Sequence, residues 1–158
     1  MGSSNITKLV ISLLLTVGMG SLGGIFTISE IPNWYAGLQK PSFNPPNWLF
    51  GPVWTMLYIL MGISVYLVWK QTVSVERNTA LTLFVVQFVL NFFWSIIFFK
   101  QHQIGWALVE IIVMWFFIFL TIIWFGKISS TASWLMVPYI SWVSFASILN
   151  AAIWKLNP

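Results

Sequence analysis

Five stretches of about 20 residues, each nearly free of charge, constrain this chain more than any other feature, because that length of helix crosses roughly 30 Å of hydrocarbon. They run over 6–28, 47–69, 79–99, 104–125 and 133–154. Runs such as Ile111 to Phe125 are apolar on every face, which excludes the period-two alternation of a barrel strand. With 59% hydrophobic and 6% charged residues in 158, too little polar surface remains to coat a soluble globule. The expected fold is an all-α integral membrane protein. It is a single domain over 1–158, a bundle of five transmembrane helices whose first loop, 29–46, forms a lid.

The charges sit at the breaks: Glu30 and Lys40, then Lys70, Glu76 and Arg77, then Lys100 and His102, then Lys127. A net charge of +4 therefore describes single bases snorkelling at span ends, with no stripe for nucleic acid; the bilayer is the expected partner. Lys8, Lys70, Arg77 and Lys127 fall on one side and Lys40, Lys100 and Lys155 on the other, which leans by one charge toward a cytoplasmic N-terminus. The first span is too long for a signal peptide and lacks an Ala-x-Ala-like site, so it reads as a retained helix. No internal repeat is evident, which argues against an inverted-repeat transporter.

Catalytic chemistry has few residues to draw on. Cys and Asp are absent, the three Glu residues fall in three segments, and His102 stands alone in a loop. Neither a Ser-His-Asp triad nor a clustered metal site is available. His102 reads as a solvated loop residue, with axial haem ligation the rarer use. No metal or cofactor is expected.

Polar and small residues inside the spans recur at helical spacing: Trp54, Tyr58 and Gly62 in the second, Gln87, Asn91 and Ser95 in the third, and Trp142, Ala146 and Asn150 in the fifth. Steps of four stack each set on one face. Such faces either glue helices together or surround an orientable apolar ligand, glue being the commoner use. Glu110, about a turn and a half into the fourth span, reads either as a proton or ligand contact or as an anchor near the membrane surface. Of eleven tryptophans, several near span ends suit headgroup-level anchoring, whereas Trp54, Trp94, Trp115 and Trp142 lie deeper and offer indole faces to a flat ligand. Gly20 and Gly24, with Gly18 and Gly23, make a smooth patch that seats the first helix or joins two protomers. Pro138 is expected to kink the fifth helix.

The first loop is stiffened by aromatic and proline residues: Trp34-Tyr35, Lys40-Pro41, Asn44-Pro45-Pro46 and Gly51-Pro52-Val53-Trp54, closing at Tyr58. Carried between two apolar spans, it reads as the cover of a membrane-embedded pocket. Together with Leu90-Asn91, Trp94, Phe98-Phe99, Gly105-Trp106-Ala107-Leu108-Val109-Glu110, Pro138-Tyr139 and Trp142, these motifs resemble, end to end, the translocator protein family. That family is also called the tryptophan-rich sensory protein or peripheral benzodiazepine receptor family.

The resemblance implies a five-helix bundle, often a homodimer, that binds porphyrins, notably protoporphyrin IX, and isoquinoline carboxamide or benzodiazepine-type drugs. It implies a pocket lined by Tyr35 and Pro41 from the lid, Trp54 from the second helix, Asn91, Trp94 and Ser95 from the third, and Trp142 and Ala146 from the fifth. Within that reading Asn91, Trp54 and Trp142 move from glue to pocket. Trp54 and Trp142 stack on a planar tetrapyrrole ligand, Asn91 or a lid residue bonds its polar edge, and Lys40 meets a propionate. The function expected is a membrane receptor for porphyrins and similar flat lipophiles, with a tetrapyrrole-sensing or stress-sensing role. Its alternatives are light- and oxygen-dependent porphyrin degradation, with Trp54 and Trp142 as candidate catalytic residues, or transport of lipophiles. The sterol pattern of animal members is missing from the fifth helix, where no Tyr follows Tyr139; the loose match at Leu60, Tyr66 and Lys70 carries little. The expected location is a bacterial cell membrane, with the mitochondrial outer membrane as alternative.

Overall fold

A computed structural model describes residues 3–158. Helix α1 spans Ser3–Glu30, a short α2 spans Trp34–Gly37 in the first loop, and α3 spans Asn47–Trp69. Helix α4 (Val75–Ser95) runs on through a π-helical turn, Ile96–Lys100. Then come α5 (Ile104–Gly126), α6 (Ser130–Leu135) and α7 (Val137–Leu156). Five of these units, with α6 and α7 together as the last, are long and apolar enough to cross a membrane. The chain is a multi-pass membrane protein.

Two boundaries differ from the sequence expectation, each for a local reason. The third span starts at Val75 rather than 79, because the Ser74 hydroxyl accepts the Arg77 N–H at 3.1 Å and caps a polar first turn that hydropathy leaves out. The fifth is two helices broken at Met136. Ser129 caps α6 by accepting from the Ala132 N–H at 3.3 Å, and Pro138 stands in the first turn of α7. The expected kink at Pro138 is thus a helix start, where a missing N–H has no partner to lose. Pro52 is the proline inside a helix, and there the bond to the residue four back is forgone.

Helix α1 lies along α3, α4 along α5, and α5 along α7. At Gly62 an added Cβ would meet Thr16 Oγ1 at 2.6 Å, and at Gly20 it would overlap the Tyr58 ring; glycine lets α1 approach α3 to backbone distance. Away from the future site, Leu57, Met61, Phe84, Met114, Ile118, Phe125, Met136 and Tyr139 form one buried core. Ser64 fastens α3 to α6 there by donating to the Ala132 carbonyl at 2.7 Å. A second core lies under the first loop, around Tyr35, Phe98, Phe99, Ile104, Leu149 and Ile153. The faces left exposed are apolar, with Leu14, Leu22 and Ile25 on α1 and Ile112 and Phe116 on α5, as lipid contact requires. Lysines cover aromatic rings at the span ends, Lys127 Nζ lying 3.8 Å from the Trp124 ring centre and Lys70 5.1 Å from that of Tyr66.

Candidate functional site

Between α1, α3, the end of α4 and α7 the bundle opens into a cavity of about 450 Å³ beneath the first loop, within the roughly 300–1,000 Å³ of small-molecule pockets. Its walls exist because α1 and α3 touch through Gly20 and Gly62 at depth and part above them; a Cβ on Gly24 would meet nothing within 4 Å. Val17, Gly20, Ser21, Gly24, Thr27 and Ile28 form the α1 wall, and Trp48, Phe50, Trp54, Thr55 and Tyr58 the α3 wall. Asn91, Trp94, Ser95, Phe98 and Phe99 come from α4 and its π-turn, and Trp142, Ala146, Leu149 and Asn150 from α7. The lining holds no Lys, Arg, His, Asp or Glu.

Seven of the residues that the sequence reading brought together line this one cavity: Tyr35, Trp54, Asn91, Trp94, Ser95, Trp142 and Ala146. Pro41 does not line it. Lys40 also lies outside, its Nζ donating to the carbonyls of Ala36 at 3.2 Å and Leu38 at 3.0 Å and resting 4.8 Å from the centre of the Tyr35 ring. That lysine fastens the end of α2. Of the deeper tryptophans, Trp115 is elsewhere, giving its N–H to Ser144 Oγ at 2.7 Å.

The three polar stripes divide by depth. Toward the loop they line the cavity; below it Gly62 lies against α1 and Gln87 is completely buried. A hydrogen-bond chain joins the two zones. The Tyr58 hydroxyl donates to Asn91 Oδ1 at 2.9 Å, Asn91 Nδ2 donates to the Tyr139 hydroxyl at 3.1 Å, and Tyr139 donates to Gln87 Oε1 at 2.9 Å. Asn91 is thereby engaged at both ends and holds Tyr58 upright, with Trp54 stacked on the Tyr58 ring at 5.5 Å and 25°. Trp94 likewise gives its N–H to Asn150 Oδ1 at 3.3 Å, while Asn150 Nδ2 caps the Ile104 carbonyl at 2.9 Å. Trp142 meets Phe50 edge to face at 6.1 Å. Among the described residues no protein acceptor takes the indole N–H of Trp54 or Trp142.

The cover is held at three points. Buried Tyr35 packs on Phe98 and Phe99 and donates to Asn44 Oδ1 at 2.7 Å. Desolvation pushes its phenol up to about 12, so it stays a neutral donor. Trp34 stacks on His102 at 4.2 Å and 13°, and His102 Nε2 lies 3.2 Å from Glu30 Oε2. His102, at φ 57°, is thus a clasp between the first loop and the α4–α5 turn, outside the cavity. The third point is Asn157, whose side chain bonds Gln39.

The α1 wall and the π-turn were not read as site elements from the sequence. The glycine patch was visible, but spacing reads as packing, and only Gly24 facing open space reveals a wall. The π-turn, closed by the Gln101 N–H on the Ile96 carbonyl at 2.9 Å, turns Phe98 and Phe99 inward together. It leaves no hydropathy signal.

Comparison with known proteins agrees with this architecture. A family model described as TspO/MBR family matches residues 11–155. The chain is 45% identical over 153 residues to the tryptophan-rich protein TspO of Archaeoglobus fulgidus, covering 97% of this chain and 99% of that protein. It is 40% identical over 138 residues to the translocator protein of Homo sapiens, with 86% and 82% covered. To the tryptophan-rich sensory protein of Cereibacter sphaeroides it is 36% identical over 124 residues, with 78% and 77% covered.

Proposed function

The chain belongs to the TspO/MBR family, and from that premise we propose that it is a membrane receptor for porphyrins such as protoporphyrin IX and for similar flat lipophilic molecules. The ligand sits beneath the first loop, between α1, α3, α4 and α7. The observation that carries this reading is a charge-free aromatic cavity in which Trp54 and Trp142 keep unpaired indole N–H groups. Indole faces stack on a planar ring, and an indole N–H without a protein acceptor favours a guest that brings one. Asn91 acts indirectly, by holding Tyr58 and with it Trp54.

With no cation in the lining, the acidic edge of a porphyrin points out of the cavity, toward the loop. Lys40 there has one N–H beyond the two it spends on Ala36 and Leu38, enough to meet a propionate. Uncharged isoquinoline carboxamide and benzodiazepine-type drugs fit the same chamber without that contact. The words "sensory" and "translocator" in the relatives' names suit a protein that reports or moves such a lipophile. A bacterial cell membrane is the proposed location, with a second copy of the chain as partner.

Protoporphyrin IX titrated in the dark into detergent-purified protein is expected to quench tryptophan emission saturably. The Trp54→Phe, Trp142→Phe double variant, at unchanged helicity, is expected to lose that saturation. Equal quenching in both proteins means partitioning into detergent and ends this reading.

A further inference from the structure

The hydrogen-bond chain that starts at the cavity wall does not close on itself. Tyr58 donates to Asn91, Asn91 to Tyr139, and Tyr139 to Gln87, but the last donor, Gln87 Nε2, is buried with no acceptor. Glu110 lies on α5. Both of its carboxyl oxygens are buried and unpartnered, and among the described residues no Lys, Arg or His nitrogen approaches within 4.0 Å. One turn further along α5, Met114 Sδ lies 3.7 Å from the Tyr139 hydroxyl oxygen. Glu110 shares its face of α5 with Met114, at i and i+4. It does not line the cavity.

A snorkelling carboxylate reaches water or a base, whereas both Glu110 oxygens are enclosed without a partner. The elements packed on α5 are α4 with its π-turn, α6 and α7. Their titratable groups are Glu76, Arg77 and Lys100 on α4 and the π-turn, Tyr139 and Lys155 on α7, and none on α6. Of these, Tyr139 reaches the α5 face at Met114, with Tyr58 of α3 behind it through Asn91; Lys100 Nζ is engaged over the Phe26 ring, 5.1 Å from its centre. A bare carboxylate without counter-ion or donor, inside a bundle in lipid, is far costlier than the neutral acid.

We propose that Glu110 is a proton-binding site linked to the cavity: it stands as the neutral acid in the resting protein and communicates with a bound ligand through Tyr139, Asn91 and Tyr58. Loss of its proton leaves a buried anion that draws hydrogen-bond donors of this chain, Gln87 Nε2 and the Tyr139 hydroxyl. Tyr139 then turns from Gln87 Oε1, and Asn91 and Tyr58 shift with it, so the wall that a ligand meets is altered. By reciprocity, a ligand seated against Tyr58 changes the affinity of Glu110 for its proton. The linkage, though not the proton site, rests on the cavity being where ligand binds.

Two readouts separate these parts. Infrared difference spectroscopy of the ligand-free protein is expected to show the carbonyl band of a neutral carboxylic acid that vanishes in Glu110→Gln. Absence of the band overturns the proton site. The second readout is binding of an uncharged isoquinoline carboxamide, whose own charge does not change with pH. Wild-type affinity is expected to fall as pH is raised until Glu110 ionises, by about fivefold or more, the lower end of usual coupling. Glu110→Gln, which mimics the neutral form, is expected to bind equally well throughout. Tyr139→Phe, which keeps the ring and cuts the chain, retains the acid band and loses the pH dependence. A wild-type affinity that is flat with pH while the band titrates overturns the linkage. Failure of all variants and wild type to bind the drug overturns the cavity reading and the linkage with it, and the band still decides the proton site.

Discussion

The side-chain amide of Asn157 pairs with the backbone of Gln39 through both of its ends, Oδ1 accepting the Gln39 N–H at 3.0 Å and Nδ2 donating to the Gln39 carbonyl at 2.9 Å. This is the geometry of one rung of β-sheet, supplied by a side chain at the end of α7 to an irregular loop 118 residues earlier. The loop gains a fixed height over the cavity, and the far end of the chain becomes part of its cover. Since Asn157 Nδ2 also reaches the Ile153 carbonyl at 2.8 Å, the clamp is held rigidly on α7.

Asn157→Ala is expected to loosen the cover without unfolding the bundle. Each exposed hydrogen bond contributes about 0.5–1.5 kcal/mol, so losing both to Gln39 speeds ligand release by roughly five- to 150-fold. Stopped-flow dissociation of a bound porphyrin measures this; an unchanged off-rate places the release step elsewhere than the loop.

Gly20 and Gly24 are expected to respond oppositely to alanine. At Gly20 the new methyl collides with the Tyr58 ring and, through it, the Asn91 bond, a kind of overpacking that typically costs about 1–3 kcal/mol. At Gly24 it meets open space, and helix propensity favours alanine there by roughly 0.5–1 kcal/mol. Melting temperatures in one detergent compare the two, and equal shifts would show that α1 does not pack on Tyr58.

Asn91→Ala is expected to act on stability before it acts on ligand. It strands the Tyr58 hydroxyl and removes a donor from Tyr139, at about 1–3 kcal/mol for each buried group left unsatisfied. A lower melting temperature in the ligand-free protein is the expected outcome; weakened binding at full stability would instead make Asn91 a direct ligand contact.

Tyr35 provides a pH signature of the closed loop. Its phenol has an ordinary value of 10 and, by desolvation, about 12 in the folded protein. The proton is held more tightly in the closed state, so the stabilising contribution is fully present below pH 10 and is lost as pH rises through 12. Phenolate absorbance followed upward in pH is expected to show a late-titrating tyrosine that Tyr35→Phe removes; identical curves would mean an open, hydrated loop.

Much of the architecture was legible because the bilayer imposes it. Helix type and the number of spans followed from apolar length, while hydropathy set the third and fifth spans to start too late, because Ser74 and Ser129 cap polar first turns. Trp54, Asn91, Ser95, Trp142 and Ala146, which meet in the cavity, were legible for a related reason: buried polar and indole groups must share a face at helical spacing, whereas Tyr35 and Trp94 came from the resemblance. Pro41 does not line the cavity, because a loop has no period from which side-chain direction follows. Lys40 closes on its own backbone.

What the sequence by itself determined, then, is which segments cross the membrane and which of their faces turn inward, since both follow from local composition and a fixed helical repeat. The tertiary structure decided what those inward faces meet. Whether Gly20 is filled by Tyr58 while Gly24 is left open, whether Gln87 finds an acceptor, whether Glu110 finds a base, and whether Asn157 reaches Gln39 all depend on distances between helices. Those distances are set by the whole bundle at once, because close packing leaves no single pair of helices free to choose its own separation.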